Sequence, residues 1–93
     1  MTGTARAHVL ISGRVQGVAY RYFAEKHAKA FGVTGWVRNI HDGRVEVLAE
    51  GDREDLDRFL ARLKEGPRLA AVDGFDLAWE TSTGEFPDFQ ITF

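Results

Sequence analysis

Apolar residues recur along this chain with two different periods, and the switches between them mark out its elements. Ala7, Val9 and Ile11 alternate with His8, Leu10 and Ser12, the period of a half-buried strand. Tyr20, Phe23, Ala24, His27, Ala28 and Phe31 recur at spacings of three and four, one face of a helix that ends near Gly32. Thr34 to Ile40 is β-branched and aromatic and predicts a second strand. His41-Asp42-Gly43 predicts a hairpin turn, with Gly43 free to take positive φ. Val45, Val47 and Ala49 then alternate against Arg44, Glu46, Leu48 and Glu50 in a third strand. Asp52 is placed to cap a second helix, with Glu54 and Asp55 in its first turn and Leu56, Phe59, Leu60 and Leu63 on its core face. Gly66-Pro67 stops that helix. Val72 to Thr81 reads as a fourth strand, Thr83-Gly84 turns, and Phe89, Ile91 and Phe93 are expected to face one way in a short last strand.

The order β-α-β-β-α-β plus a short terminal strand predicts an α+β fold. It is the ferredoxin-like split βαβ sandwich, an antiparallel sheet with two helices on one face. No repeat, low-complexity stretch or linker interrupts the pattern, so a single domain over residues 1–93 is expected. In such a unit the first two strands are parallel with another strand between them, so their carboxyl ends share one edge. The loop after the first strand and Asn39 at the end of the second therefore converge.

That loop is the stretch with the most chemistry. Gly13-Arg14-Val15-Gln16-Gly17-Val18-Ala19-Tyr20-Arg21 joins a strand to a helix through a tight glycine-bounded turn. Such a junction gathers unpaired backbone N–H groups and the positive end of a helix dipole. Arg21 adds a planar guanidinium, and a cation at a helix start opposes the dipole unless an anion lies nearby. The volume suits a phosphate-sized anion, although loops of this kind also serve as plain connections with a solvated arginine.

Composition narrows the picture. Ninety-three residues, 44% hydrophobic and 12% aromatic, suffice for one modest core. There is no cysteine, which excludes disulfides, thiolate metal sites and thiol nucleophiles. His8, His27 and His41 fall on three separate elements without an acidic partner at ligand spacing, so neither a metal nor a cofactor is expected. A net charge of −2 argues against nucleic acid as a partner. No apolar run approaches the roughly 20 residues of a membrane span. The segment Met1 to Arg6 lacks a secretory apolar core. No membrane association and a cytoplasmic location are expected. No large apolar patch is evident, so a monomer is expected.

The glycine-bounded loop is followed by Gly35-Trp36-Val37-Arg38-Asn39, then Gly43-Arg44-Val45 and Gly51. Together the two stretches resemble the signatures of the acylphosphatase family. The first family pattern, Gly-x-Val-Gln-Gly-Val-x-Phe/Tyr-Arg, is met by Gly13 to Arg21 at every fixed position. The second runs Gly-aromatic-small-basic-Asn, then Gly-x-Val, then a later glycine, and Gly35 to Gly51 fits it. Gly66-Pro67 with Ala71 and Val72, and the late Phe89-x-Ile91, extend the resemblance over about Ala5 to Phe93. Family members often carry Gly-Phe where this chain has Ala19-Tyr20.

The resemblance implies hydrolysis of small acyl phosphates to a carboxylate and inorganic phosphate. It implies that Arg21 binds the phosphate catalytically and that Asn39 orients the attacking water. Arg14, Val15, Gln16, Gly17 and Val18 would line a phosphate cradle through their backbone, with Gln16 bracing the loop. The chemistry is undemanding in acid–base terms. The leaving carboxylate has a conjugate acid pKa of about 4 and departs without a proton donor. Holding the phosphoryl oxygens, stabilising charge and placing a water in line are what remain.

Other readings stay open from sequence. A binding module of the same fold could hold a phosphate-bearing ligand without turnover, and related domains occur inside larger proteins that mature hydrogenases or transfer carbamoyl groups. The length and the lack of a linker favour a free-standing enzyme. An RNA-binding ferredoxin-like module would need exposed aromatics and a basic sheet face. The outward candidates His8, Ser12, Arg44, Glu46 and Glu50 make a poor one. Trp36 and Trp79 read as core, Asp52, Glu54 and Asp55 as a helix cap, and Arg53, Arg58 and Arg62 as a solvated helix face.

Overall fold

A computed structural model describes residues 3–93; Met1 and Thr2, the first residues of the Met1 to Arg6 segment that lacks a secretory apolar core, lie outside the described residues. The elements are β1 (Thr4–Arg14), α1 (Tyr20–Phe31), β2 (Thr34–Asn39), β3 (Val45–Asp52), α2 (Arg53–Glu65), β4 (Ala71–Glu80) and β5 (Phe89–Ile91). They form one sheet in the order β4-β1-β3-β2-β5. β1 is antiparallel to β3 and β4, and β2 is antiparallel to β3. β1 and β2 are therefore parallel, with β3 between them.

The sheet is not wholly antiparallel as expected, because β5 pairs parallel with β2, Gly35 opposite Phe89 and Val37 opposite Ile91. The cause is the route of the chain. After β4, on one edge, it crosses to the other edge before pairing again. The crossing is fastened by Glu50, whose carboxylate accepts hydrogen bonds from the Thr83 and Gly84 N–H groups, each at 2.9 Å, and from Arg6 Nε at 2.7 Å. Glu50, read as outward-facing, is thus only 4% exposed.

The helices cover one face of the sheet. Ala7, Val9 and Ile11 of β1, Val45, Val47 and Ala49 of β3 and Val37 of β2 pack there against Tyr20, Ala24 and Ala28 of α1 and Leu56, Phe59 and Leu63 of α2. These are the strand stripes and the α2 face expected from the two periods, whereas of the expected α1 stripe Phe23, His27 and Phe31 are only half-buried. Gly35, φ 133°, lets the strands close at one point, since a Cβ there would run into the Leu48 carbonyl.

Several local expectations change. Asp52 holds the cap position of α2 in extended geometry but makes no side-chain cap bond. As the last residue of β3 it is paired with Thr4, and the Arg53 N–H donates to the Gly3 carbonyl instead, at 3.2 Å. Phe93 does not continue the last strand. β5 stops at Ile91, and Phe93 is 97% exposed. Neither tryptophan is core: Trp36 lies under Arg38 at 4.9 Å and Trp79 under Arg53 at 3.7 Å. His8 finds an acidic partner across the strands, Glu46 at 2.6 Å, which also binds Arg38.

Candidate active site

The parallel setting of β1 and β2 brings the β1–α1 loop and the end of β2 to one edge of the sheet. A bulge between Ser12 and Gly13 turns β1 out of register just before the loop. Gln16 then ties the loop to the β2–β3 hairpin. Its Nε2 donates to the carbonyls of Ile40 and Arg44, both at 2.9 Å. The hairpin is closed by Ile40 N–H to Arg44 O at 2.9 Å and Gly43 N–H to Ile40 O at 3.1 Å, with Gly43 at φ 95°. One side chain therefore sets the distance between the loop and the strand end that carries Asn39.

Between them lies a cavity of about 110 Å³ lined by Val15, Gly17, Ala19, Tyr20, Arg21, Tyr22 and Asn39. At roughly 30 Å³ per water it holds a few waters or one small anion. Val15 and Tyr20 are buried and form its floor. The Tyr20 hydroxyl donates to the Leu63 carbonyl, which anchors the start of α1 to the end of α2. Burial pushes the Tyr20 phenol pKa up, so this donor keeps its proton.

The electrostatics of the cavity come from the start of α1. No acidic residue lies in the first turn, and no side chain caps it. Arg21 is the second residue of the helix, and among the described residues no carboxylate lies within ion-pairing distance of it. Its guanidinium instead stacks on the Phe93 ring at 4.9 Å. Opposite this positive end stands Asn39, whose Oδ1 is buried with no hydrogen-bond partner among the described residues. A buried amide oxygen without a donor is costly unless something else binds there. Asn39 also lines a neighbouring groove of about 580 Å³ with Gln16, Arg38, Ile40, His41 and Phe93.

Of the residues singled out from sequence, Val15, Gly17, Arg21 and Asn39 share the small cavity. Arg14 ends β1, and the Val18 side chain packs on the core. Sequence reasoning missed Tyr22 and Phe93. Tyr22 had one available signal: it falls off the apolar stripe of α1, and it is 66% exposed. Among the described residues no group of three His, Asp or Glu side chains is placed to hold a metal, and no helix is long and apolar enough to cross a membrane.

The acylphosphatase family model matches residues 7–91. The chain belongs to the acylphosphatase family. An acylphosphatase of Methylococcus capsulatus is 54% identical over 86 residues, covering 92% of this chain and 94% of that one. One from a Roseiflexus species is 48% identical, covering 98% of each. The crystal structure of the Bacillus subtilis acylphosphatase superposes with a TM-score of 0.93 at 35% identity, covering 96% of this chain and 99% of the other.

Within the acylphosphatase pattern, one departure of this chain has a structural consequence. Ala19 sits at φ 62°, ψ 27° as the residue before α1. Among the described residues it alone of the non-glycine residues has positive φ. Glycine adopts this left-handed conformation without the strain that a Cβ brings. Here the turn is kept and the strain is borne by the alanine.

Proposed function

We propose that this acylphosphatase hydrolyses the carboxyl–phosphate bond of small acyl phosphates in the cavity between the β1–α1 loop and Asn39. Arg21 and the backbone N–H groups of Arg14, Val15, Gln16, Gly17 and Val18 hold the phosphoryl oxygens. Charge already on the phosphoryl group in the ground state meets Arg21, and charge that shifts during transfer meets the same fixed donors, with no reorganisation of solvent. The Asn39 amide oxygen accepts from the attacking water and places it in line with the bond to the leaving carboxylate. An uncharged amide does this beside the phosphoryl oxygens without repelling them. The observation that carries this reading is the buried, unpartnered Oδ1 of Asn39 on the wall of the cavity that Arg21 also lines.

Neither a general acid nor a metal is required, because the leaving carboxylate is a stable anion and the cation is Arg21 itself. The chain acts as one domain over residues 1–93, as a monomer, in the cytoplasm, and without nucleic acid. Against the last, the open sheet face carries carboxylates such as Glu46, ion-paired with Arg38.

The test is Arg21→Gln. Turnover of an acyl phosphate and competitive inhibition by inorganic phosphate are lost together, and the parent enzyme keeps full rate in chelator. Near-normal phosphate inhibition in the variant refutes Arg21 as the anchor. Loss of rate in chelator, restored by a divalent ion, refutes the metal-free reaction.

A further inference from the structure

We propose that Tyr22 is the platform for the acyl group and that it favours acyl phosphates with a flat aromatic acyl group over small ones. This rests on the roles given above to Arg21 and Asn39. Phosphoryl transfer sets the attacking and leaving oxygens roughly in line on opposite sides of phosphorus. With the water at Asn39, the acyl group leaves on the side away from Asn39. The roomy groove next to the cavity is lined by Asn39 together with Gln16, Arg38, Ile40, His41 and Phe93, whose ring is already stacked on Arg21. It lies on the water's side and serves as the route for water.

The rest of the cavity wall leaves one candidate for the acyl side. Val15 and Tyr20 are buried in the floor, and Gly17 and Ala19 offer no surface to stack on. Tyr22 lines the small cavity but not the groove, and the residue is 66% exposed. Among the described residues its hydroxyl makes no hydrogen bond and its ring pairs with no other aromatic, so no fold contact of that kind accounts for it. An exposed ring at the mouth of an anion site gives a planar acyl group a face to stack on.

The experiment compares kcat/KM for benzoyl phosphate and acetyl phosphate in the parent enzyme, Tyr22→Ala, Tyr22→Phe and His41→Ala, with thermal melts and phosphate inhibition constants for each. The expected result is a benzoyl-to-acetyl ratio that falls about threefold to tenfold in Tyr22→Ala, mainly through KM, the scale of one aromatic pair. The ratio is kept within about twofold in Tyr22→Phe, which restores the ring. Phosphate inhibition is retained in both. An unchanged ratio in Tyr22→Ala overturns the proposal, as does an equal loss on both substrates or a ratio that moves with His41→Ala. A parent enzyme that turns over acetyl phosphate but not benzoyl phosphate also overturns it and leaves the reaction itself intact. Turnover of neither substrate defeats the underlying reading as well.

Discussion

Gln16 holds the two halves of the site together, and its removal has a calculable cost. Its amide donates two hydrogen bonds at 2.9 Å, to the Ile40 and Arg44 carbonyls. Each carbonyl also accepts a backbone N–H within the hairpin, so Gln16→Ala strands no acceptor without a partner. The loss is then the net value of two neutral hydrogen bonds, about 0.5–1.5 kcal/mol each, and about 2 kcal/mol together. With a urea m-value of about 1–2 kcal/mol/M for a domain of this size, the unfolding midpoint falls by about 1–2 M at unchanged m. Turnover falls as well, since the hairpin that carries Asn39 is no longer fixed to the loop. Gln16→Glu separates the physics from simple truncation. An ionised carboxylate cannot donate and faces two carbonyl oxygens, so at pH 7 it is less stable than Gln16→Ala. The folded state favours its protonated form and raises its pKa. The defect is therefore relieved as pH falls towards the unfolded value near 4.3 and grows as pH rises through the folded one. A midpoint for Gln16→Ala equal to that of the parent, or a Glu variant as stable as the Ala variant at pH 7, refutes the reasoning.

Asn39→Ala is expected to lose about 10²-fold or more in turnover while inorganic phosphate still inhibits it normally, because the amide serves the water and not the bound anion. Asn39→Asp should bind phosphate worse than Asn39→Ala, since like charges about 4 Å apart repel by roughly 4 kcal/mol at an effective dielectric of 20 before screening. Ala19→Gly should stabilise the protein by about 0.5–1 kcal/mol in urea, the left-handed strain of alanine outweighing the extra freedom of unfolded glycine; a destabilised variant refutes strain at φ 62°. Burial works against the Glu50 carboxylate, yet the Thr83 N–H, Arg6 and the Gly84 N–H outweigh it and hold its pKa below the ordinary range. Its stabilising effect is thus present above about pH 4.3 and lost as pH falls through the lower folded value. The stability gap between the parent and Glu50→Gln, measured in urea, should shrink from pH 7 to pH 3.

The amino-acid pattern determined most of the scaffold by itself, because hydrophobic periods of two and of three to four are local properties of burial. The Val45, Val47, Ala49 stripe and the Leu56, Phe59, Leu60, Leu63 face are buried where those periods placed them. Chain order alone made β1 and β2 parallel neighbours of β3, which is why Arg21 and Asn39 could be predicted to converge. Tertiary structure decided what depends on partners distant in sequence. No local signal says that Glu50 will capture the Thr83–Gly84 crossing, and it is this crossing that delivers β5 to β2 in parallel. The pairing of His8 with Glu46 is likewise a matter of strand register, and spacing along the chain does not contain it. Two aromatic residues off the core, Tyr22 at the cavity mouth and Phe93 on the Arg21 guanidinium, escaped the reading for the same reason. Periodicity reports which side chains leave water, whereas a site is made of side chains held at its edge by the geometry of the whole sheet.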